Sequence, residues 1–170
     1  MTHSAAWEKF LKSNFFSNPF NAWHDGEDVH VLKELSAEER VEAETLFLKN
    51  LPDPRMIVGL EELRSQKAIP HLRRLVNHPD VSTSKNAAHA IVTITGSDAG
   101  LEPAMNTLIK TLLNHKLFWS TRMDAAIGLA MFRNQKASDA LVKALDDPDK
   151  LVRHHTGMSL CTMYGVQVDI

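Results

Sequence analysis

The chain has 170 residues, 44% of them hydrophobic and 24% charged, with a formal net charge of −2. That length suits one domain with a continuous core, and the balance excludes a disordered chain and argues against a strongly basic nucleic-acid-binding domain. No apolar run could span a bilayer, no secretory signal pattern opens the chain, and Cys161 is the one cysteine, so a cytoplasmic protein without an internal disulfide is expected.

Residues 3–12 predict a short helix with Ala6, Trp7, Phe10 and Leu11 on one face. The stretch N-F-F-S-N-P-F-N-A-W-H-D-G that follows cannot continue it. Phe15, Phe16, Phe20 and Trp23 are nevertheless too apolar for a free linker. Residues 1–36 are therefore expected to fold as an aromatic cap over the first of a set of repeats occupying 37–170, because an end repeat has no neighbour to cover its apolar side. Ser36 and Glu39 form a capping box for a helix running to about Asn50, and Leu51-Pro52-Asp53-Pro54 stops it. Further helices are expected at about 55–66, 68–77, 82–95, 100–115, 119–132, 137–145 and 150–164. Gly96 and Gly165 suit left-handed helix stops. No alternating β-branched run signals a strand, so the fold class is all-α.

The helices repeat. Residues 57–96 slide without a gap onto 126–165, a shift of 69 positions, with eleven identities in forty. Gly59/Gly128, Leu60/Leu129, Arg64/Arg133, Ala68/Ala137, Leu72/Leu141 and Asp80/Asp149 are among them. A register held this long indicates duplication of a two-pair unit.

A unit of A-I-P-H-L-R-R-L-V-N-H-P-D followed by an alanine-rich helix resembles the HEAT repeat. The segment D-A-L-V-K-A-L-D-D-P-D-K-L-V-R resembles its short bacterial form, seen also in phycobilin-lyase-like proteins. The resemblance covers about 37–165. It implies an α-α superhelix, a HEAT/ARM-like solenoid of about four helix pairs with an N-terminal helical cap. Such arrays serve many unrelated tasks. In the family an Asp after the first helix often bonds an Arg or Lys six residues on. Only Asp147 and Arg153 fit that pattern. The matching slots hold Lys116 and Arg122, and His78 and Ser84, so stacking is expected to rest mainly on apolar packing.

Chemistry is sparse. Nine histidines invite a metal reading, but H-E-x-x-H, C-x-x-C and the paired His-Glu steps of HEAT-like iron hydroxylases are missing. His154 and His155 are adjacent and so point about 100° apart on a helix. Cys161 has no charged residue one turn before it and reads as a packed thiol. No Gly-rich phosphate loop or G-x-S-x-G occurs. No enzyme, metal or other cofactor is expected.

Two binding classes remain. Some HEAT-like DNA glycosylases hold a duplex on a basic concave face, and a nucleic-acid-binding solenoid of that type is the alternative reading. Only Arg73, Arg74, Lys85, Arg122 and Arg153 could meet phosphate, and the near-neutral charge disfavours it. Protein binding is the first reading. In HEAT arrays the second helix of each pair lines the concave surface. At about 100° per residue, the face opposite the core centres on Val58, His89, Ile127 and Met158. Glu61, Glu62, Lys85, Val92, Met123, Met131, His154 and Thr162 surround these four. An apolar row rimmed by charge marks a partner site. Acids exceed bases by six in residues 1–62, and bases exceed acids by four in the remainder, a polarity that can orient a charged partner. Some small bacterial HEAT proteins with this layout are immunity proteins that neutralise a toxin, so a toxin domain is one specific partner that the resemblance implies.

Overall fold

The computed structural model describes residues 3–16 and 30–167. Phe20, Trp23 and His24 lie outside the described residues. Among those described, ten α-helices and one 3-10 turn form, and no strand does. The protein is all-helical, as its periodicity predicts. Two compact units divide between Pro70 and His71.

In the first unit, helix α1 (Ala5–Asn14) starts where the Ser4 hydroxyl accepts the Trp7 N–H. Helix α2 (Val31–Glu34) was not legible from periodicity, being only four residues long. Helix α3 (Ala37–Lys49) carries the predicted capping box, and helix α4 (Pro54–Glu62) begins at the Asp53 N-cap with Pro54 at its first position. Trp7 and Phe10 are buried, and the Phe10 ring meets Phe47 of α3 edge-on at 5.5 Å. Phe15 stacks on the same ring at 6.1 Å. Glu39 ties the ends of α1 and α3 together, its Oε1 accepting the Ser4 N–H at 2.8 Å and its Oε2 the Ser36 N–H at 3.0 Å. Gly59 is required by close approach: a Cβ there would lie 2.4 Å from the Phe47 ring.

A 3-10 turn (Gln66–Ala68) leads into α5 (Ile69–Leu75), which spans the boundary between the units. The second unit continues with α6 (Val81–Thr95), α7 (Glu102–Leu112), α8 (Trp119–Leu129), α9 (Gln135–Ala144) and α10 (Lys150–Tyr164). Successive helices pack on each other, α8 lies against both α6 and α10, and α7 touches α9. The inner faces of α6, α8 and α10 are packed, with Ala87, Ile91, Ala125, Leu129 and Thr156 fully closed off from solvent.

The duplication extends to helix bounds. Shifted by 69 residues, α6 coincides with α10, and the 3-10 turn plus α5 coincides with α9. The caps repeat as well. Ser65 accepts the Ala68 N–H and Asn134 the Ala137 N–H, while Asp80 and Asp149 cap α6 and α10. Gly96 and Gly165 end those helices at φ of 71° and 68°, the left-handed region open to glycine.

One expectation needs correction. The Asp147 carboxylate does not hold Arg153. It forms a bidentate pair with Arg122 of the preceding helix pair, Arg122 Nε to Oδ2 at 2.9 Å and Nη2 to Oδ1 at 2.8 Å. Both residues are buried, at 1% and 5% exposure. The Asp149 N–H also donates to Asp147 Oδ1 at 2.8 Å, and Arg122 Nη1 donates to the Leu117 carbonyl. Arg153 instead donates from Nη1 to the backbone carbonyls of Asp147 and Pro148, at 2.6 and 3.0 Å. The reason is local: the turn leaves those carbonyls without helical partners, and a long side chain in the first turn of α10 reaches back to them. Packing between these pairs therefore includes one buried ion pair beside its apolar contacts.

Candidate functional site

The side-by-side packing of α6, α8 and α10 creates an open groove of about 860 Å³ within the second unit. Its size falls in the range of ligand and peptide clefts. Six of the residues expected on the concave face line it: His89, Val92, Ile127, Met131, Met158 and Thr162. His89 and Thr162 are exposed, Ile127 keeps 40% of its surface in solvent, and Val92, Met131 and Met158 are half-buried. The helical period explains this grouping. Residues 125, 126, 128 and 129 face neighbouring helices and are buried, which leaves Ile127 turned outward.

The other expected residues lie elsewhere. Lys85 was expected near the rim, but its stem crosses Gly128 and its ammonium meets Asp124 Oδ1 at 2.9 Å. A Cβ on Gly128 would lie 2.8 Å from Lys85 Cγ, so that glycine and that lysine form one packing element between α6 and α8. Met123 is half-buried and does not line the groove. His154 is exposed, and the adjacent His155 lines the groove instead; their rings stand nearly perpendicular at 5.3 Å. Val58, Glu61 and Glu62 belong to α4 in the first unit. There Glu62 pairs with Lys33 at 3.4 Å.

Sequence reasoning missed part of the polar lining of the groove. Ser97 and Asp98, from the loop after Gly96, line it, as do Arg133, His155 and Ser159. One signal was available: Ser159 stands where the first copy has Ala90, and Arg133 duplicates Arg64. His155 and Ser159 share a helix face, but no hydrogen bond joins them. Among the described residues no group of three or more His, Cys, Asp or Glu side chains is placed to hold a metal ion. No described helix is long and apolar enough to cross a membrane.

These features define an all-α protein with a duplicated helix-pair unit and an open groove of mixed apolar and polar lining. No protein-family model matches the chain, and no curated protein matches it significantly.

Proposed function

We propose that the chain is a HEAT-like α-solenoid that holds another protein on the face of its second helices and catalyses no reaction. The sequence duplication, the repeated caps and the row α6–α8–α10 support the solenoid reading. The observation that carries the binding role is Ile127, 40% exposed in the lining of the groove with Met131 and Met158 as fellow lining residues. Solvent favours charge at such a place, and an apolar patch rimmed by polar groups serves contact with a partner. Methionine adapts its shape to whatever it meets. A toxin domain neutralised by this chain is a specific case of the same reading.

The test is affinity capture from cells of the source organism, with the native chain and Ile127→Glu compared at matched folding. A stoichiometric partner retained by the native chain and lost on Ile127→Glu is the expected result, since a carboxylate buried in an apolar contact has nothing to offset its desolvation. A partner retained equally by both would place the binding surface elsewhere.

A further inference from the structure

We infer that two copies of this chain associate about a two-fold axis through the outer face of α9–α10. The internal duplication locates that face. Within the second unit α6 packs on α7 and α8, whereas its duplicate α10 packs on α8 and α9. Ser84, Ala88 and Ile91 of α6 are accordingly buried. Spaced i, i+4 and i+7, they share one side of the helix. Their duplicates, 69 positions on, are Arg153, Gly157 and Leu160. Arg153 is exposed, Leu160 is half-buried, and a Cβ on Gly157 would meet nothing within 4 Å. The ends of the preceding helices agree, for Val76 is buried and its duplicate Leu145 is exposed. A face that one copy of the unit covers is open on the other.

Apolar side chains stand on the open face. Val142 is 53% exposed and Tyr164 64%, at helical spacing from Leu145 and Leu160 respectively. The Tyr164 hydroxyl lies 2.7 Å from Ser138 Oγ of α9, which holds the ring across both helices before a partner arrives. A second copy is the occupant that the charges fit. Helix α10 contains no acidic residue and exposes Lys150 and Arg153, whereas Asp139 and Asp146 are exposed on α9 and just after it. Lys143 is turned about 100° round the helix from Val142. An axis parallel to the helices lays α9 of each copy on α10 of the other, so that acid meets base. None of these residues lines the groove, and the inference stands apart from the reading above.

The test is sedimentation velocity of the intact chain from about 1 to about 100 μM, since interfaces of ordinary size bind between micromolar and picomolar. A reversible dimer is expected. Val142→Glu should weaken it roughly a hundredfold, about tenfold for each of the two places where the symmetry buries the new carboxylate. Gly157→Arg, which the open space accommodates within one chain, should do the same and reads the same face should Val142→Glu fail to fold. Circular dichroism and melting of the dilute variants should match the native chain at equal dilution. Gly157→Ala should keep the dimer, because its duplicate Ala88 is buried, and so should Ile127→Glu, which alters the groove. A chain that stays monomeric at the highest concentration overturns the inference, as does a dimer indifferent to both Val142→Glu and Gly157→Arg. A dimer lost on Ile127→Glu but kept by Val142→Glu would place the second copy in the groove and overturn it too.

Discussion

Removing the Asp147 carboxylate should be among the most damaging single changes to the second unit. Asp147→Ala strips both hydrogen bonds from a guanidinium that is 5% exposed and leaves it with the Leu117 carbonyl. It also orphans the Asp149 N–H at the start of α10. Breaking a buried ion pair from one side costs about 3–5 kcal/mol, because an uncompensated charge stays behind. Replacing both partners, Arg122→Met with Asp147→Leu, removes that charge and should cost only about 1–3 kcal/mol, the share of the lost backbone acceptor and donor. The double variant should therefore be more stable than Asp147→Ala. The assay is urea denaturation followed by far-UV circular dichroism and by tryptophan fluorescence, with Trp119 reporting from α8 beside Arg122. Salt should change the difference little, since the pair is buried and poorly screened. A loss below about 1 kcal/mol for Asp147→Ala, the scale of an exposed pair, would refute the argument.

Three further outcomes are expected. Ile127→Glu should cost less than about 1.5 kcal/mol, because two-fifths of the side chain already faces solvent and full burial of an isoleucine contributes only about 1.5–3 kcal/mol; a loss of several kcal/mol on thermal melting would make this position core. Gly59→Ala should destabilise by about 1–3 kcal/mol through its clash with Phe47, whereas Gly157→Ala, with nothing within 4 Å of the new methyl, should stabilise α10 by about 0.5–1 kcal/mol, and equal effects would contradict the packing described. In acid, hydrogen bonds from the Ser4 and Ser36 N–H groups hold Glu39 below its usual pKa; burial would raise Asp147, but Arg122 and the Asp149 N–H outweigh that and hold it low too. A depressed folded-state pKa means that the unfolded chain binds more protons, so this stability is complete above the ordinary carboxylate range of about 4 and declines as pH falls below it. Denaturation midpoints measured across that range should fall, and less steeply for Asp147→Asn, whose amide cannot titrate.

What the sequence by itself determined was set mainly by neighbours along the chain. The Ser36–Glu39 capping box and the Gly96 and Gly165 stops act within a turn of helix, so residue type and spacing are enough. The outward face of α8 followed from the helical period alone, and the structure keeps Ile127 exposed between buried neighbours. Helix α2 escaped notice because four residues carry no period; it is held by burial of Val31 and Leu32. Only the tertiary structure decided which side chains meet across helices. Lys85 finds Asp124 thirty-nine residues away, and Arg122 finds Asp147 at a separation of twenty-five. It likewise decided that His155 and Ser159, rather than His154, line the groove. One step along a helix turns a side chain by about 100°. The period thus assigns a residue to a broad face, while the rotation and spacing of the neighbouring helix select the partner that it meets.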